Sequence, residues 1–275
     1  MKTTVRLILG TALCCAMALA ALAQENVPGK IYVAEVNGGV TFMEGGRQFV
    51  LKKGDSLSAQ GARIETAPGA TAVLVYSNGT SVFISEKTIV EIRKFVQKPF
   101  PKGVDTATNE PSISDTVVNV TQGTVIVTTN ALATGTSMVY LTPQSQINIR
   151  GQEVVIEVRD QDTKITMVAG DATVTPLNAA PGNVGQILQA GQLATVTNPP
   201  GSLAAETILV TTLDQGALNA FALQIAAAER AQKIVVFETV TPADGSASEV
   251  QAKPVVPVNL PVQLTVSPST LQTGG

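Results

Sequence analysis

Residues 54–92 read GDSLSAQGARIETAPGATAVLVYSNGTSVFISEKTIVEI. Pro68-Gly69 suits the two central positions of a type II turn, and Asn78-Gly79 suits the two positive-φ positions of a type I′ hairpin. Between these turns Ala72, Leu74 and Tyr76 share one face. Beyond the hairpin Val82 and Ile84, then Val90 and Ile92, keep the period of two that a half-buried strand requires. The stretch therefore spells out stacked short strands, and it carries a fold rather than a reaction.

The chain opens with a secretory pattern. Lys2 and Arg6 form a basic region, Leu7 to Leu19 an apolar run, and Ala21-Leu22-Ala23 a small-x-small cleavage site, so residues 1–23 are expected to be a signal peptide. Both cysteines, Cys14 and Cys15, lie inside that run, so the exported chain forms no disulfide and its stability must come from burial. No later segment offers the roughly 18 uninterrupted apolar residues that a membrane span needs. Without Lys2 and Arg6 the chain holds 16 basic against 21 acidic residues, a net charge of −5 that favours neither nucleic acid nor an anionic membrane. Sparse charge with abundant Val, Ile, Thr, Ala and Gly fits an all-β body.

Three similar openings recur: Val36-Asn37-Gly38-Gly39-Val40-Thr41-Phe42, Val120-Thr121-Gln122-Gly123-Thr124-Val125 and Val168-Ala169-Gly170-Asp171-Ala172-Thr173-Val174. A second glycine signature bracketed by leucines follows two of them, at Leu51 to Leu57 and at Leu188 to Leu193. Pseudo-repeated β units with irregular spacing predict a short solenoid-like stack or a two-sheet sandwich over residues 30–200. Further strands are legible at Met138 to Leu141, Ile147 to Arg150 and Val154 to Arg159, the last turning at Asp160-Gln161-Asp162 into Lys164 to Val168. Lys98 to Ser114, with Pro99, Pro101, Gly103 and Pro111, reads as a long surface loop. Leu218, Phe221, Ala222 and Ile225 recur at helical spacing through Lys233, with Thr212 and Gln215 placed for a capping box. With the strand Ile234 to Phe237 this helix forms an appendage over 205–240. Residues 241–275, rich in Pro, Val, Ser and Thr, are expected to be an extended or disordered tail.

Gly54-Asp55-Ser56-Leu57 matches the block of the GDSL esterases, whose serine is the nucleophile. A serine hydroxyl needs a positioned base, those esterases use histidine, and this chain has none. The block reads as a turn, and no catalytic residue is nominated. Lacking histidine and exported cysteine, the chain also lacks the usual zinc, copper and haem ligands. Asp160-Gln161-Asp162 begins like a calcium loop but has Lys164 at the next alternate position, and reads as a hairpin tip. No cofactor or metal is expected. Arg93, Lys94, Lys98 and Lys102 surround Phe95 and Phe100, a basic and aromatic cluster that is the one candidate interaction patch. Asn78-Gly79-Thr80 and Asn119-Val120-Thr121 fit glycan sequons, and at Asn78 the hairpin already explains the residues.

The order of these elements resembles the FecR-type domain, the extracytoplasmic part of iron-dicitrate transport regulators. The resemblance rests on Gly54 to Leu57, Gly61 to Thr66, the Ala70 to Leu74 strand and Asn78-Gly79-Thr80. It continues through Gln122 to Val125, Leu141-Thr142-Pro143, Arg150-Gly151-Gln152 and the strands at Gly170 and Gly191, covering about Gly38 to Thr197. It implies a β-rich, noncatalytic module with solenoid-like stacking that contacts another protein. The chain is expected to be a secreted form without the anti-sigma and transmembrane segments of the signalling members.

The sequence thus predicts an exported all-β protein, periplasmic or extracellular, that acts as a protein-binding or scaffold module at the bacterial cell envelope. The alternative is a surface carbohydrate-binding or matrix component, motivated by the Arg93 to Lys102 cluster and the polar Thr and Asn faces. Export makes a direct prediction: N-terminal sequencing of the protein recovered from the envelope starts at Gln24, whereas recovery with Met1 retained contradicts it.

Overall fold

The structure is a computed structural model, and it describes residues 26–100, 103–104, 106, 108–178, 185–197, 207–243, 246 and 248–255. Residues 1–23, Lys102 and the tail beyond Val255 lie outside the described residues. The chain opens with β1 (Val27–Pro28), β2 (Lys30–Asn37), β3 (Val40–Glu44), β4 (Arg47–Val50) and β5 (Ser56–Ser58). Next come β6 (Ala62–Thr66), β7 (Thr71–Tyr76), β8 (Ser81–Ile84) and β9 (Ile89–Gln97). After a long loop follow β10 (Ser114–Thr128), β11 (Ser137–Leu141), β12 (Ser145–Val158), β13 (Asp162–Pro176), β14 (Gln186–Gln189), β15 (Gln192–Thr197) and β16 (Thr207–Thr212). Helices α1 (Gln215–Asn219) and α2 (Ala222–Gln232) and the hairpin β17 (Val235–Val240) and β18 (Glu249–Pro254) complete it.

Strands β1 to β16 form one hydrogen-bonded sheet that folds over into two layers, the sandwich form of the two architectures expected. One layer runs β5-β2-β7-β8, then the second half of β10, the second half of β12, the first half of β13, β15 and β16. The other runs β4-β3-β6-β9, then the first half of β10, β11, the first half of β12, the second half of β13 and β14. Three long strands thus belong to both layers. The crossings fall on the glycines of the sequence repeat: Gly38 between β2 and β3, Gly123 within β10 and Gly170 within β13, all at positive φ. At Gly123 (φ +90°) a β-carbon would stand 2.6 Å from the Thr88 Cα, so neither the backbone angle nor the space admits a side chain.

One apolar core fills the space between the layers. It includes Ala72, Leu74, Tyr76, Val82, Ile84, Val90 and Ile92 from the stretch quoted above, and Val154, Ile156, Val158, Ile165 and Met167 from the β12–β13 hairpin. The layers differ on their outer faces. In the β9, β10 and β12 segments of the second layer burial alternates, with polar side chains outward. In the first layer Val73, Val75, Ile126 and Val155 are buried as well, because the C-terminal elements lie over them. Strands covered on both sides read as continuous apolar runs, as in Val73-Leu74-Val75-Tyr76. Each of these outward residues contributes on the order of 1.5–3 kcal/mol by burial.

The cover is more closely built than an appendage. Helix α2 presents Ile225, Ala227, Ala228 and Ala231 to the sheet, and small alanines let its backbone approach closely. Of the expected stripe only Ile225 is buried. Leu218 and Phe221 are half-buried and Ala222 is exposed, because the helix breaks between Asn219 and Ala222. The expected capping box is absent: Thr212 is still strand, and the Asp214 Oδ1 accepts from the Ala217 backbone N–H at 2.8 Å. At the other end the buried Gln232 Nε2 donates to the carbonyls of Gly79 (2.8 Å) and Thr128 (3.1 Å), tying the helix to the sheet. The tail expected from residue 241 contributes β18, which pairs with β17.

Two local expectations change. Pro68-Gly69 does turn with the Ala70 N–H donating to the Ala67 carbonyl at 3.0 Å and Gly69 at φ +72°. The Asn78-Gly79 hairpin is not type I′, because only Gly79 is left-handed. The Tyr76 N–H donates to the Thr80 carbonyl and the Gly79 N–H to the Tyr76 carbonyl, enclosing three loop residues. The Asn78 side chain is occupied instead, accepting from the Thr80 N–H and donating to the Ser114 Oγ. The loop from Lys98 is anchored rather than superficial. Phe100 enters the second apolar cluster, and the buried Glu110 carboxylate accepts from Ser114 Oγ, Thr136 Oγ1 and the Ala133 N–H. Burial pushes the Glu110 carboxyl above its ordinary range despite these donors.

Substitution at the layer crossings should be costly in a graded way. Gly123→Ala meets both the left-handed angle and the Thr88 backbone, and is expected to lose about 3 kcal/mol in urea unfolding. Gly54→Ala, at φ +94° with open space around it, should lose only about 1–2 kcal/mol. Equal costs would contradict the packing argument. A second prediction concerns pH. Burial, then the neighbouring Glu229 of α2, raises the Glu153 carboxyl above its ordinary range. The folded state then binds a proton more tightly than the unfolded chain. This contribution to stability is present below the unfolded pKa and is lost as pH rises through the folded one. Glu229→Gln should therefore raise Tm at neutral pH and leave it nearly unchanged in acid, and a pH-independent difference would contradict the pairing.

Candidate protein-binding groove

The residues of the expected basic and aromatic patch separate in space. Phe95 points into the core, fully buried, with its ring 5.4 Å from that of Tyr76. Phe100 is buried with Val235, Phe237 and Val250, and its N–H donates to the Thr239 Oγ1 at 3.1 Å. Arg93 and Lys94 are exposed and paired, Arg93 with Glu91 at 3.7 Å and Lys94 with Asp115. Lys98 is exposed at the start of the loop. The phenylalanines are therefore not available to a partner at this surface, because the core has taken them.

The Gly54 to Leu57 block forms the corner between β4 and β5. The Lys52 N–H donates to the Asp55 Oδ2 at 2.8 Å, closing the turn, and Ser56 begins β5 with its side chain exposed. Asp160 to Asp162 is a hairpin tip, closed by the Arg159 N–H donating to the Asp162 carbonyl at 2.9 Å. Among the described residues no three acidic side chains gather to hold a metal ion.

This corner is the wall of a groove that the sequence did not single out. The chain has seven phenylalanines, three tyrosines and no tryptophan. Nine of these ten aromatics are buried or half-buried, and Phe49, 50% exposed, is the exception. Phe49 stands directly opposite Phe42 in the β3–β4 register, so the two rings share the core-facing side, 6.4 Å apart. Phe42 is covered and Phe49 is not, because the first layer ends short of it. Phe42, Phe49, Leu51 and Leu57, with Glu44, Lys52 and Asp55 around them, enclose about 440 Å³ between β4 and β5.

The internal repeat shows what is missing there. In the C-terminal unit the first half of β13 crosses at Gly170 to its second half, β14 returns, and β15 pairs back on β13 after Gly191. In the N-terminal unit β2 crosses at Gly38 to β3, β4 returns, and β5 pairs back on β2 after Gly54. The C-terminal unit then adds β16 outside β15, turning Ile208 and Val210 toward the core. Outside β5 the equivalent strand position is open. Among the described residues β5 pairs only with β2 and β4 only with β3, so both present free backbone edges to the groove.

Comparison with known proteins assigns no family. No family model matches the sequence, and no curated protein matches it. Among solved structures, two crystal structures of a protein from Parabacteroides distasonis, named "putative anti-sigma factor", are similar in part. Each is 15% identical to this chain, with TM-scores of 0.42 and 0.41. Each match covers 58% of this chain and 63% or 64% of the other, so the chain spans less than two thirds of those proteins.

Proposed function

We propose that the protein is an exported, noncatalytic β-domain serving as a binding or scaffold module at the bacterial cell envelope, and that it takes an extended segment of another protein as an added strand beside β5. The N-terminal secretory pattern supports export, and the FecR-type order of landmarks supports a protein partner. The observation that carries the site is the open strand position over Phe49, which the C-terminal repeat fills with β16. Strand addition supplies main-chain hydrogen bonds from a free edge, and alternate side chains enter the pockets. The chemistry of the segment follows from β16, Thr-Ile-Leu-Val-Thr-Thr: uncharged, mostly β-branched, with Ile208 and Val210 on the core side. The carbohydrate reading is less favoured, because saccharide rings stack on exposed aromatics and Phe49 alone is exposed.

Crosslinking in intact cells followed by pull-down tests the proposal. The wild-type protein should capture a specific envelope protein, and Phe49→Asp should lower that capture about tenfold or more with Tm lowered only slightly, since the side chain is half exposed. Capture that is indifferent to Phe49→Asp would remove the groove as the site.

A further inference from the structure

The groove has a candidate occupant within the chain itself. The described structure ends at Val255, and the sequence continues Val256-Pro257-Val258-Asn259-Leu260-Pro261-Val262-Gln263-Leu264-Thr265-Val266-Ser267-Pro268, then seven residues more. After Lys253 no residue is charged. Between two prolines, Val262, Leu264 and Val266 alternate with Gln263 and Thr265, the period of a strand with one apolar face. Like β16, the segment is uncharged and aliphatic on one face, with Ile208 and Val210 the core-side residues of β16.

Place and reach agree. The β17–β18 hairpin lies over the outer face of the first layer, and β18 packs against β2. β2 is next to last on the very margin that ends in β5. A strand beside β5 lies two strand spacings from β2, about 10 Å. The seven residues from Val255 to Val262 span up to about 24 Å. A tethered segment is also present at an effective concentration that a separate chain rarely matches.

We propose that Val262 to Val266 of the same chain docks as the missing strand beside β5, with Val262, Leu264 and Val266 turned onto Phe49 and Leu57. The tail then occupies the site that a partner segment takes, and partner binding proceeds by displacing it. This inference rests on the groove being a strand-addition site.

The exported chain has no cysteine, so introduced thiols report alone. With Ser56→Cys on the outward face of β5, single cysteines are placed in turn at residues 262 to 266 and at Gln272. A docked strand makes same-chain disulfides form at least about fivefold faster from Gln263→Cys and Thr265→Cys than from the other positions, because only outward neighbours meet disulfide geometry. Rates without that alternation, or disulfides joining two chains, overturn the proposal. Leu264→Asp in the full-length chain should raise partner capture about threefold or more by freeing the site, and unchanged capture also overturns it. If the alternation appears but no Phe49-dependent capture does, the tail docks and the partner reading fails. The reverse result removes the tail and leaves the partner.

Discussion

A strand shared between two layers must turn through its own backbone without losing its neighbours on either side. In this protein β10, β12 and β13 all do so, and the layers are one continuous hydrogen-bonded surface rather than two separate sheets. The turn needs a residue with positive φ and no side chain. At Gly123 the Thr88 backbone fills the place of a β-carbon, and at Gly170 the carbonyl of Gly151 does the same. The core between the layers, the direction of every later strand and the position of the groove all follow from where these crossings fall. Crossings cannot drift, because moving one by a single residue would exchange the two faces of the strand beyond it.

These crossings also explain how much of the fold was legible. The repeated glycine openings looked like sequence similarity with irregular spacing, and they are corners of one construction used more than once. The period of two correctly separated Ala72, Leu74 and Tyr76 as a core face. It did not identify Val73, Val75, Ile126 and Val155 as a second buried face, although the unbroken apolar runs containing them carried that signal. Alternation is a property of strands with one wet side, and these strands have none. The helical stripe misleads for a related reason. Large residues mark a helix face that fills space, whereas α2 approaches a flat sheet through alanines.

The site was harder to see than the fold. Charge and aromatic residues cluster along the sequence at Arg93 to Lys102, but a strand sends neighbours to opposite faces, so Phe95 goes to the core and Lys94 to solvent, while Arg93 is the extra residue where the register shifts between Ile92 and Lys94 and is exposed as well. Phe49 carried no motif. It matters because of what stands across from it, and that depends on the number of strands in the facing layer. The signal that bears on it is the comparison of the two leucine-bracketed glycine units: the later one is followed by β16, which pairs beside β15, and the earlier one by β6, which pairs with β3 and β9 and leaves the edge of β5 open.

The C-terminal cover has a consequence for how the molecule is assembled. The Gln232 amide joins a turn 153 residues earlier, and the Phe100 backbone joins Thr239 across 139 residues. Contacts of this separation are slow to form, because the closure entropy of the long loop comes before any gain. A chain emerging from its N-terminus completes both layers while the outer face of one is still bare. Val73, Val75, Ile126 and Val155 stay in contact with solvent until residues beyond 220 arrive. The newly made protein therefore passes through a stage with both layers formed yet sticky on one side, and a fragment ending just after β16, near residue 213, would be held at that stage.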